Sequence, residues 1–171
     1  MAKTTGYKIR EAIKLHEMRK SVLQGQFGNS LVQFEDEEKG DPRELAQQIR
    51  QEETAIAKLQ VAQTSYNLQV KLEVGGQQIT LCEAVKSIGG AGRMEQLWNT
   101  VANSRDDYGR SYGGERSRDP NQERAKNQVT PQEALGEATK SAKQAAQLRA
   151  GIAEGNSEQV EIPSLDASLL Q

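Results

Sequence analysis

The chain reads as mainly α. We expect an antiparallel, coiled-coil-like helical hairpin with a short two-stranded β-hairpin, further short helices, an extended arm and a C-terminal tail. Three observations predict this. Leu45, Ile49, Glu52, Ile56, Leu59, Gln63, Tyr66 and Val70 recur at alternating steps of four and three, the seam of a helix laid along another helix. From Leu68 to Val74 the pattern changes to apolar–polar alternation, which suits a half-buried strand. Gly75-Gly76 then separates that run from Gln77-Gln-Ile79-Thr-Leu81, and glycines admit the positive backbone angles of a tight hairpin turn.

The elements follow in order. A first helix starts near Thr5 and Tyr7, with Ile9, Ile13, His16, Lys20, Leu23 and Phe27 as its seam; His16 and Lys20 interrupt the apolar series. Gly25 and Gly28 weaken its end, since glycine costs roughly 1 kcal/mol against alanine in a helix. After Phe34 the acidic run from Glu35 to Glu38 makes a turn. Asp41 can cap the second helix, with Pro42 at its first position and Glu44 able to reach back. Two helices of similar length joined by a polar turn should fold back antiparallel. The β-hairpin is marginal alone in water, so it should pack on helices or pair with a neighbouring subunit.

Thr80-Leu-Cys-Glu83 is a capping box that starts another helix through Ala84, Val85 and Ile88. Gly89-Gly-Ala-Gly92 is expected to break it, because three glycines cost about 2–3 kcal/mol in a helix interior. The alternative is a continuous period through Met94, Leu97, Trp98 and Val101, with the glycines marking close contact between helices. Residues 105–129 carry few apolar side chains and read as an extended polar arm. Thr130-Pro-Gln-Glu133 caps an Ala-rich helix over 130–155, with Leu135, Ala138, Ala142, Ala145, Leu148 and Ile152 along one side. An extended tail, 156–171, ends the chain. Residues 1–104 thus form the hairpin unit, followed by arm, helix and tail.

Composition narrows the function. Hydrophobic residues are 35% of the 171 and aromatics only 4%, so thin helical layers should bury apolar surface against other subunits. A net charge of -2 gives no general attraction to nucleic acid or acidic lipid. One cysteine, Cys82, excludes an internal disulfide framework and fits a reducing compartment. No run approaches the ~20 apolar residues of a membrane span, so we expect no membrane and a cytoplasmic protein, or a virion assembled in a host cytoplasm.

Chemistry is sparse. His16 is the sole histidine, so histidine relays and multi-histidine metal sites cannot form within one chain. Cys82 lies at a helix N-terminus, which favours a reactive thiol, yet it stands beside Leu81 and near Ala84; structural burial is the expectation. Glu35, Asp36, Glu37 and Glu38 lack the alternating ligands and central glycine of a calcium loop. The glycines at 89–92 lack the lysine and hydroxyl of a phosphate-binding loop. Arg105 to Arg118 interleaves arginine, tyrosine and glycine as RNA-binding arms do. From Arg105 to Lys126, however, six basic residues face five acidic ones, which removes most of the phosphate attraction. No catalytic residue, cofactor, metal or small-molecule substrate is assigned, and nucleic acid is disfavoured.

The run from Tyr66 into Gly76-Gln-Gln-Ile79-Thr-Leu81-Cys-Glu-Ala84 and on to Ile88 resembles the helix, β-hairpin and "G-x-x-(I/L)-T-L-x-E-A" helix start of the septicolysin-like family. These are small bacterial helical-hairpin proteins thought to form oligomers. The resemblance spans residues 8–104 in the order of its elements, and its specific part is Tyr66–Ile88. It departs at Gly89–Gly92, where the family continues a long charged helix. The arm, the Ala-rich helix and the tail lie outside it. It implies a fold and an oligomer but no activity, and nothing here resembles a membrane-inserting segment.

The expected function is therefore a non-enzymatic structural protein that assembles with itself and with other structural proteins, with a phage virion (capsid or tail) component as first choice. The alternatives are a free cytoplasmic septicolysin-like oligomer and an RNA-binding protein using the arm. Leu68, Val70, Leu72, Val74, Ile79 and Leu81 would supply ribbon contacts. Tyr108, Tyr112, Ile162, Leu165, Leu169 and Leu170 would anchor the extensions to neighbours.

Overall fold

Thr5 adopts extended backbone and its hydroxyl accepts the Lys8 amide at 3.2 Å, which starts α1 (Gly6–Ser30). The structure, a computed structural model, describes residues 2–35, 37–103, 128–163 and 165–170. Asp41 accepts the Arg43 amide at 2.8 Å and Pro42 opens α2 (Pro42–Gln69). α1 and α2 pack antiparallel, as the two seams require.

Strands β2 (Lys71–Val74) and β3 (Gln77–Thr80) form the hairpin, in register Lys71↔Thr80 to Val74↔Gln77. Gly75 and Gly76 take φ of 62° and 81°, the two positive angles of a type I′ turn. The Thr80 hydroxyl accepts the Glu83 amide at 3.1 Å and the Glu83 carboxylate accepts the Thr80 amide at 2.6 Å, so α3 (Leu81–Asn103) starts straight off the ribbon. Thr130 and Glu133 repeat the box at the head of α4 (Pro131–Ser157). At both sites the threonine amide holds the glutamate carboxyl below its ordinary range.

The expected break at Gly89–Gly92 does not occur: α3 is continuous to Asn103. Leu81 and Ala84 begin a seam that Ile88, Ala91, Trp98 and Ala102 continue, and burial of Ala91 between the glycines offsets their cost. The further helices are therefore long rather than short. α3 and α4 lie along each other as a second helical pair, so the Ala-rich helix is not a separate unit. Buried Ala134, Ala138 and Ala145 permit that close approach.

Residues 156–171 were expected to extend away, and instead they fold back. β4 (Val160–Ile162) pairs antiparallel with β1 (Ala2–Thr4), so the two ends of the chain meet, and a 3-10 turn (Ala167–Leu170) packs on α1. One apolar cluster links both helical pairs, the ribbon and the terminal strands. It includes Ile9, Leu59, Tyr66, Val70, Leu72, Leu81, Leu148, Ile162 and Leu165. The polar arm, with Tyr108 and Tyr112, lies outside the described residues.

Candidate functional site

One group of buried polar side chains lies where the helical pairs meet. Tyr66 is fully buried, and its hydroxyl lies 2.6 Å from the Gly155 carbonyl and 2.7 Å from that of Glu158. Burial pushes this phenol above its ordinary value; the Glu158 carboxylate adds to that and the Gly6 backbone opposes it. Asn156, also buried, donates to the Ile152 carbonyl at 2.6 Å and accepts from Arg10 at 3.2 Å. Two glycines make this junction possible. A Cβ on Gly6 would sit 2.5 Å from Asn156 Oδ1, and one on Gly155 would sit 2.6 Å from Leu72 Cδ2.

His16 and Glu52, the two polar interruptions of the facing seams, meet each other. His16 is only 6% exposed; its Nδ1 lies 2.5 Å from Glu52 Oε2 and its Nε2 lies 3.4 Å from the Leu169 carbonyl. The pair ties α1, α2 and the terminal turn together.

Cys82 was expected to be buried and is partly exposed, because Leu81 and Ala84 take the inward positions of the first α3 turn. Glu37 pairs with Lys39 at 2.8 Å, while Asp36 lies outside the described residues. Among the described residues no three His, Cys, Asp or Glu side chains converge to hold a metal. Open surface depressions run along α3 at Glu95, Gln96 and Asn99, and along α2 at Arg50, Thr54 and Lys58. Among the described residues no helix is long and apolar enough to cross a membrane.

Most of the residues assigned to inter-subunit contact are spent on this chain's own interior. Val70, Leu72, Leu81, Ile162 and Leu165 are buried, and Val74, Ile79, Leu169 and Leu170 are half-buried against the same core. Of the ribbon residues, only Leu68 faces solvent. Sequence reasoning followed the apolar alternation of β2 and the tail without seeing that the two chain ends close on each other.

The unpartnered apolar surface lies elsewhere, on the outer faces of the helices. Leu15, Met18 and Val22 are exposed on α1, Val61 and Leu68 on α2, Met94 and Leu97 on α3. Each set belongs to a second four-three series on the side opposite, or beside, the inner seam. The series are Leu15-Met18-Val22-Gly25-Asn29, Thr54-Ala57-Val61-Thr64-Leu68 and Gly90-Met94-Leu97. That second period was the signal by which the sequence could have located them.

Searches against family models and curated proteins find no match. The fold is similar to the crystal structure of a protein from Corynebacterium diphtheriae described as conserved and functionally unknown. The identity is 16%, over 94% of this chain and 100% of that one, with a TM-score of 0.62. At that identity the likeness shows the fold alone.

Proposed function

We propose that this protein is a non-enzymatic structural protein that assembles with copies of itself or with other proteins through the outer faces of its helices. The observation that carries this is the second apolar series left in solvent on α1, α2 and α3, while the buried polar groups among the described residues build joints between elements.

In its narrower form the assembly is a phage virion, for which the polar, Gln-rich and chemically empty sequence is the support; mass spectrometry of purified particles tests that form. The second reading is a free cytoplasmic oligomer of the septicolysin-like kind. The uninterrupted α3 supports it, since the family pattern continues a long helix through that position. Light scattering on the purified full chain tests what both share. A mass above one chain that rises with concentration is expected, and a single-chain mass at every concentration contradicts it.

A further inference from the structure

We propose that the outer face of α1 is the self-association surface, on which a second copy lays its own α1 antiparallel about a two-fold axis between Val22 and Gly25. This rests on the self-assembly reading and deepens it by naming the face and its orientation. Met18 is 67% exposed and Val22 60%, and their positions on the helix lie opposite the Ile9, Ile13 and His16 seam that faces α2. An antiparallel pair centred there sets Met18 against Asn29 and Val22 against Gly25 of the second copy, large side chains opposite small ones.

Gly25 is the second observation. It sits inside a long helix, where glycine is unfavourable. Among the described residues nothing beyond its own helix backbone approaches within 4 Å of a Cβ placed on it, so they give no steric reason for its presence. The Val22 side chain of a second copy gives one, because a helix can approach closely only where the facing position lacks a side chain.

Charge selects the orientation. The first half of α1 carries Lys8, Arg10, Lys14, Arg19 and Lys20 against Glu11 and Glu17, whereas the turn beyond Phe34 carries four acids against Lys39. From Ser21 to Phe34 there is no charge at all. An antiparallel pair brings the basic half of one copy beside the acidic turn of the other; a parallel pair sets like against like. The contact is modest. Centred there, the two helices overlap over residues 17–30, roughly 21 Å, and a strip about 10 Å wide along that length covers on the order of 200 Å² per copy. A standard interface needs about 800 Å² per partner, so the dimer should be reversible and concentration-dependent.

Sedimentation equilibrium of the full chain, from low to high micromolar concentration, tests this. The wild type should pass reversibly from monomer to dimer, and added salt should weaken the dimer. The Met18→Glu/Val22→Glu variant, its helicity checked by circular dichroism, should weaken association by about tenfold or more, while Val61→Glu/Leu68→Glu on α2 should leave it unchanged. Met18→Cys/Asn29→Cys in a Cys82→Ser background should cross-link position 18 of one copy to 29 of the other on oxidation. A wild type that stays monomeric overturns both this proposal and the self-assembly reading. Association that survives the α1 variant, is lost with the α2 variant, or yields 18-to-18 links overturns this face and orientation while self-assembly stands.

Discussion

Tyr66 shows at the scale of one residue how the two helical pairs are joined. Its ring fills the space beneath Gly6, and its hydroxyl serves carbonyls at the end of α4, far away in sequence. Tyr66→Phe keeps the packing and removes the buried hydroxyl shared by the Gly155 and Glu158 carbonyls, which should cost about 1–3 kcal/mol in chemical denaturation. The pH dependence has a definite sign. Because the folded state raises this phenol's value, its contribution is whole below about pH 10, the ordinary tyrosine value, and is lost as pH climbs through the folded value. The wild-type thermal midpoint should fall across that alkaline window, and Tyr66→Phe should lack that part of the decline. The sequence placed Tyr66 on the seam but gave no hint of its partners, since a hydroxyl reaching carbonyls at Gly155 and Glu158 depends on contacts that no local spacing encodes. His16 and Glu52 were more legible: a polar residue on each of two facing seams can avoid an unpaired burial by meeting the other.

Helix starts were written plainly in the chain. Thr5, Asp41, Thr80 and Thr130 each supply a cap because a side-chain oxygen satisfies amides that the first turn leaves unpaired. Helix ends and continuity were harder to read. The glycines of α3 signal a break locally, and only the packing of Ala91 and its seam partners along α4 outweighs that signal. The same balance gives a test on α1. Gly25→Ala should raise the stability of the dilute monomer by roughly 1 kcal/mol, read as a higher denaturant midpoint, because its Cβ meets open space. An unchanged or lower midpoint would show that α1 is not the regular, outward-facing helix described here. The bulkier Gly25→Leu should in addition hinder association, since its side chain occupies the position that the facing Val22 needs.

For the whole molecule, the sequence foretold the class, the first helical pair and the ribbon. It did not foretell that α3 and α4 form a matching pair, because the residues between them separate the two seams and the alanines of α4 give a weak apolar signal. Nor did it show the closure of the ends. A strand of three residues such as β1 or β4 has no period to detect, and it is its partner, not its composition, that makes it a strand. That closure moves the tail's apolar residues from the surface into the core and leaves the helix backs as the exposed apolar surface. The most direct measurement of whether a second chain covers those backs is hydroxyl-radical footprinting at low and high protein concentration. Oxidation at Met18 and Val22 should slow markedly as concentration rises, while Met94 on α3 stays reactive. Equal rates at Met18 across the whole range would contradict the account.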